Sequence, residues 1–166
     1  MKLHSGMTLN EKLDYIAVGE TLQEQIERAR EVAKVDITFG PLMRMAVIKE
    51  ERLDGLPAGM PETYKPETDI PDGMGNTNVR QEFRRIKNYM VNGPMQQVPR
   101  HKRELNWIQM LEGMHWKEAN VLVHIKDQTL LNIYPNMREV LTNLGVAINI
   151  QEESVETKKA KKPKKS

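Results

Sequence analysis

RHKRELNWIQMLEGMHWKEANVLVHIKDQTLLNIYPN, residues 100–136, decides the fold. After Pro99, Leu105, Ile108 and Leu111 recur at helical spacing with Trp107 beside them, which predicts a helix over 100–112. Gly113 is the residue type that favours a helix end. A second helix is expected over 116–126, with Ala119, Leu122 and Val123 inward and His115 at its cap. The two helices are joined by a turn at 113–115. A loop at 127–134 then leads through Pro135-Asn136 into a helix over 136–144. There Met137, Val140, Leu141 and Leu144 fall on one face, and Gly145 closes it.

Working outward, the same 3.6-residue period continues toward the N-terminus. Residues 8–18 place Leu9, Leu13 and Ile16 on one helical face. Residues 22–34 do so with Leu22, Ile26, Ala29 and Ala33, after a capping box formed by Thr21 and Glu24. Pro41 is placed as the first residue of a helix over 42–52, with Leu42, Met45 and Ile48 or Lys49 in register. Val79, Phe83, Ile86 and Met90 define a buried stripe on a helix from Thr77 or Asn78 to Met90, stopped by Asn92-Gly93-Pro94. Val146–Ile150 reads as a short strand or an extended cover. The expected class is all-α: a single domain over 1–150 with about seven short helices.

Residues 53–76 break this pattern. Pro57, Pro61, Pro66 and Pro71 alternate with Gly55, Gly59, Gly73 and Gly75, and no helix persists through that spacing. A solvated linker is one reading. An ordered arm across the helices, held by Leu56, Met60, Tyr64 and Ile70, is the other, and the apolar residues favour it. Residues 151–166 are charged and of low complexity, the composition of a disordered Lys-rich tail.

Composition excludes several chemistries. The chain has no cysteine, so disulfides, thiolate metal sites and cysteine nucleophiles are absent. No Gly-rich phosphate loop, GxSxG elbow or HExxH pair occurs, and the chain is expected not to be an enzyme and to need no cofactor. His115 and His124 flank one helix nine residues apart, with Glu112 and Glu118 nearby. Capping or surface roles account for them better than a metal, and no metal site is assigned. The N-terminus lacks a signal-peptide core, and no apolar run approaches a membrane span. A soluble cytoplasmic protein is expected.

The net charge of +2 conceals an asymmetry: residues 1–75 carry 9 Lys/Arg against 14 Asp/Glu, and residues 76–166 carry 16 against 9. Arg80, Arg84, Arg85, Lys87, Arg100, Lys102 and Arg103 stand against Glu82 alone between positions 80 and 103. If the ends of their two helices converge, they form one patch suited to phosphates, which require positive charge rather than base-reading groups. Tyr89, His101 and Trp107 would be stacking platforms where exposed. Lys158, Lys159, Lys161, Lys162, Lys164 and Lys165 in the tail would add non-specific attraction to DNA or RNA. The plainer reading is a solvated helical face whose arginines pair with the acidic half. Tyr64, Trp107 and Trp116 are the candidates for contact with a host or phage protein, because tryptophan and tyrosine dominate binding hot spots. Core packing is the alternative for both tryptophans.

A resemblance runs through the same region. Leu56-Pro57, Tyr64–Pro66, Thr77-Asn78 and Glu82–Arg85 are followed by Arg103-Glu104, WIQMLEGMH at 107–115, Lys117–Ala119, Lys126-Asp127 and Tyr134–Asn136. In this order and spacing, over roughly residues 40–137, the chain resembles a family of small proteins encoded by tailed bacteriophages of the myovirus type. Trp116 stands where that family has proline, and the connection after Lys126-Asp127 lacks the expected basic, glycine-containing loop. The resemblance implies a viral protein acting in the bacterial cytoplasm or the virion, and it supplies no catalytic residues. The function expected is nucleic-acid association through the basic patch and tail. The alternative is a protein-interaction module that modulates a host protein or takes part in virion assembly.

Overall fold

The computed structural model describes residues 2–150. They form one all-helical body without a strand among the described residues: α1 (Leu9–Ala17), α2 (Leu22–Val35), α3 (Phe39–Val47), α4 (Val79–Lys87), α5 (Arg100–Gly113), α6 (Trp116–Lys126), α7 (Leu130–Ile133) and α8 (Met137–Asn143). Helix α6 is central and packs on α1, α3, α5 and α7, while α2 packs on α1, α3 and α8. Its burial pattern explains the position. Ala119, Val121, Leu122, Val123 and Ile125 are all buried, so apolar residues nearly encircle the helix rather than forming a stripe.

The buried surface of α6 also contains a carboxylate, in its first turn. Glu118 is 1% exposed. Its Oε2 accepts the backbone N–H of Leu9 at 2.6 Å, and its Oε1 accepts that of Val79 at 3.1 Å. Leu9 and Val79 are the first residues of α1 and α4, where N–H groups have no intrahelical partner. One side chain therefore caps two helices from inside a third. Burial pushes the Glu118 carboxyl above its ordinary value, against the opposing pull of the two N–H donors and the Lys12 ammonium.

A second buried charge lies next to it. Lys12 Nζ donates to Asp36 Oδ2 at 2.7 Å, with side-chain exposures of 1% and 3%. Asp36 Oδ1 also accepts the backbone N–H and the hydroxyl of Thr38, at 2.9 and 2.6 Å. These bonds shape the entry to α3, which begins at Phe39 and not after Pro41. Pro41 is accommodated in the first turn, where its missing N–H would have had no partner. Burial alone would raise the Asp36 carboxyl. The Lys12 and Thr38 hydrogen bonds outweigh it and hold it below the ordinary value.

Several expectations change with the packing. Leu105 is 52% exposed, and Met110 joins the expected Trp107 and Leu111 on the inward face of α5. In α2, Ala33 is exposed and Val32 takes the buried place. Phe83 and Met90 are half-buried rather than buried. Thr21 Oγ1 accepts the Glu24 N–H as expected, but Glu24 reaches back to the N–H of Glu20, one residue before the cap. The segment at 127–134 contains α7, which adds an eighth helix. Val146–Ile150 forms an extended cover, tied by the Asn149 N–H to the Val47 carbonyl.

Residues 53–76 are an ordered arm, not a linker. Leu53 is buried, and Leu56, Met60 and Tyr64 pack against the core. Polar ties recur along the arm. Arg103 Nε donates to the Gly55 carbonyl (2.6 Å), and Lys126 Nζ to the Pro57 carbonyl (2.6 Å). The Gly59 N–H donates to Asp127 (2.9 Å), and Lys117 pairs with Asp72 (2.9 Å). His115 Nδ1 accepts the Lys117 N–H as the cap of α6, which places the imidazole proton on Nε2, directed at the Ile70 carbonyl 3.2 Å away.

Glu118→Ala is expected to lower unfolding stability by about 2–6 kcal/mol, because each of the two orphaned buried donors costs about 1–3 kcal/mol. A urea midpoint equal to that of the wild type would contradict the capping role. Asp36 contributes stability that is present above the ordinary carboxyl value of 3.8 and lost as pH falls through its lower folded value. Asp36→Asn should therefore be less stable than the wild type at pH ~7, by up to about 3 kcal/mol, with the gap closing below pH ~4 in urea unfolding series.

Candidate anion-binding site

Helix α4 is set by Asn78, whose side chain accepts the Gln81 N–H at 2.9 Å, and by the buried Val79 and Ile86. At about 100° per residue, Arg80, Arg84 and Lys87 fall within an arc of about 60° on one flank. Arg85 lies between about 100° and 160° from each of them. It is occupied by Glu82, both of whose carboxylate oxygens lie 3.1 Å from its Nη1. Arg80 reaches toward Asp36 (3.8 Å) and the Ser5 carbonyl (3.5 Å). Arg84 and Lys87 are exposed and hold no ion pair or hydrogen bond among the described residues.

These two cations line an open cleft of about 480 Å³, together with Glu50 and the turn after α4 that includes Met90, Val91 and Pro94. The turn is fixed from several sides. The Val91 N–H donates to the Arg52 carbonyl, the Asp54 N–H to the Tyr89 carbonyl, and the Gln96 side-chain amide to the Tyr89 and Asp54 carbonyls. At Gly93 a Cβ would stand 2.3 Å from the Asn88 carbonyl oxygen, so only glycine fits there. Glu50 is held from the opposite end of the sequence. Its Oε2 accepts the Asn149 side-chain amide at 2.7 Å, and this bond keeps the Glu50 carboxyl below its ordinary value.

The basic residues of α5 differ in how they are engaged. Arg103 is turned into the structure, donating to the Gly55 and Val98 carbonyls. Arg100 pairs with Glu104 at 3.1 Å, and Lys102 is exposed without a partner among the described residues. Tyr89 and Trp107 cannot stack on a ligand. They are 3% and 1% exposed and pack edge-on against each other with centroids 5.2 Å apart. Burial pushes the Tyr89 hydroxyl up to about 12. His101 alone of the three stacking candidates is exposed.

Trp107 is therefore also excluded as a contact for a protein partner. Trp116 is half-buried, stacked on His115 and with Lys117 Nζ 5.5 Å from its ring centroid. Tyr64 is half-buried against the core. His124 Nδ1 lies 2.8 Å from the Thr129 hydroxyl, so both flanking histidines of α6 have local structural partners. Lys158, Lys159, Lys161, Lys162, Lys164 and Lys165 lie outside the described residues. Glu50 was not singled out by the sequence, where it is one acid in a charged run. Only its neighbours across the fold distinguish it.

The fold and site define a small all-helical protein with an open, cation-rimmed cleft beside a stapled arm. The chain belongs to a family of unknown function, DUF6433, whose model matches residues 43–132. That span contains the arm, α4 to α6 and every cleft residue, and leaves out Asn149 and the lysine tail. No curated protein and no solved structure matches the chain.

Arg103→Ala should release the start of the arm and lower stability by about 1–3 kcal/mol, since two carbonyls lose a charged donor. Arg84→Ala and Lys87→Ala should stay within about 0.5 kcal/mol of the wild type. Limited proteolysis within residues 53–76 and urea unfolding together distinguish these roles.

Proposed function

We propose that this protein is a non-enzymatic accessory protein that binds nucleic acid through the Arg80–Arg84–Lys87 flank of α4. The observation that carries the reading is the pair Arg84 and Lys87, exposed, unpartnered among the described residues and lining one cleft. A charged surface stabilises its own fold when its cations face carboxylates, as Arg85 and Arg100 do. Cations without such partners remain available to phosphates. Lys102 and the C-terminal lysines extend the attraction without adding sequence preference. In keeping with the resemblance to phage-encoded proteins, the site of action is the cytoplasm of a bacterial host or the virion. A protein-interaction role in host modulation or virion assembly would rest on the half-exposed Trp116 with Lys117 against its ring.

Fluorescence anisotropy with labelled single- and double-stranded DNA and RNA tests the nucleic-acid reading. Binding should persist in a chain ending at Ile150 and weaken steeply with salt. Arg84→Ala/Lys87→Ala should reduce the logarithmic salt slope by about 1.4 on single strands and about 1.8 on duplex, the loss of two phosphate contacts. An unchanged slope and affinity in the double variant would overturn the assignment. Capture of one stoichiometric protein after nuclease treatment, lost in Trp116→Ala, would move the function to protein recognition.

A further inference from the structure

The cleft contains a carboxylate that a simple phosphate groove would not place there. Glu50 lines the same cavity as Arg84 and Lys87 yet pairs with neither of them. It is instead anchored by Asn149, whose side-chain amide donates to Oε2 (2.7 Å) and whose Oδ1 accepts the Lys49 N–H (2.7 Å). No side chain holds Oε1 among the described residues. A fixed anion repels a nucleic-acid backbone, so its use in such a site requires a ligand that brings N–H donors to it. The same cleft is lined by the apolar Met90, Val91 and Pro94, with Asn88, Asn92 and Gly93 beside them. The volume of about 480 Å³ lies within the range of small-molecule sites, about 300–1,000 Å³.

We infer that the cleft takes one unpaired nucleotide of a single strand, with phosphate on Arg84 and Lys87, the base against Met90, Val91 and Pro94, and the base edge on Glu50. This deepens the nucleic-acid reading and rests on it. A carboxylate only accepts hydrogen bonds. Guanine presents two neighbouring donors on its pairing edge, N1–H and the N2 amino group, and can engage both carboxylate oxygens. Cytosine and adenine offer one amino group each. Thymine and uracil offer a single N–H between two carbonyl oxygens, which face the carboxylate unfavourably. In a duplex these donors are already paired, so recognition of this edge requires a single strand. The preference is therefore guanine first and thymine or uracil last.

The test uses the full chain and labelled oligothymidylate strands that are identical except for one central dT, dG, dC or dA, read by anisotropy. The dG strand should bind about tenfold more tightly than the all-dT strand, the scale of one good two-point base contact. Glu50→Ala should bind all four strands alike, and Asn149→Ala should narrow the preference by freeing the carboxylate. Circular dichroism and melting would establish that both variants are folded. Equal binding of the four strands by the wild type would overturn the inference while leaving the nucleic-acid reading in place. A guanine preference that survives Glu50→Ala would overturn the role of Glu50. No binding of any strand would overturn both readings.

Discussion

The backbone N–H groups of Leu9 and Val79, which no helix can satisfy for itself, meet on the buried carboxylate of Glu118. The constraint is mutual. The helix starts require an acceptor out of reach of water, and the carboxylate requires donors to be tolerated at 1% exposure. Helices α1 and α4 are thereby aimed at one point on α6. Lys12 is drawn into the same region and needs Asp36, and Asp36 with Thr38 then directs the chain into α3. A short chain of buried charges thus sets the directions of four helices.

The arm shows a different way of ordering a segment without regular structure. Its prolines and glycines prevent a helix, so its backbone carbonyls and N–H groups must find partners elsewhere. Arg103, Lys126, Asp127 and His115 supply them from α5, α6 and the residues flanking α6. Long basic side chains that look like surface charges in the sequence act here as internal donors to the arm's carbonyls. This is why Arg103 is lost to the basic surface and Arg84 and Lys87 are not.

The site is assembled from distant parts of the chain. Helix α4 brings the cations, the turn after it brings the apolar wall, and the C-terminal cover fixes Glu50 through Asn149. The helical period alone groups Arg80, Arg84 and Lys87, so this part of the site was readable from the sequence. The inward turn of Arg103 was not, because its direction depends on where the arm's carbonyls lie.

Periodicity by itself determined the all-helical class, the consecutive helices α5 and α6 with His115 capping the second, and the buried stripes at Leu9–Leu13–Ile16 and Met137–Val140–Leu141, since each is a matter of spacing within one helix. Tertiary structure decided which borderline residues face inward: Val32 rather than Ala33, and Met110 rather than Leu105. A helix offers more than one arc of apolar residues, and only its neighbours select among them. Tertiary structure also turned Glu118 from one carboxylate near His115 and His124 into the cap of two helices, and Glu50 from one charge in a run into the edge of a cleft. A charged residue's role follows from the donors around it, and those donors lie 39 and 109 residues away for Glu118 and 99 for Glu50.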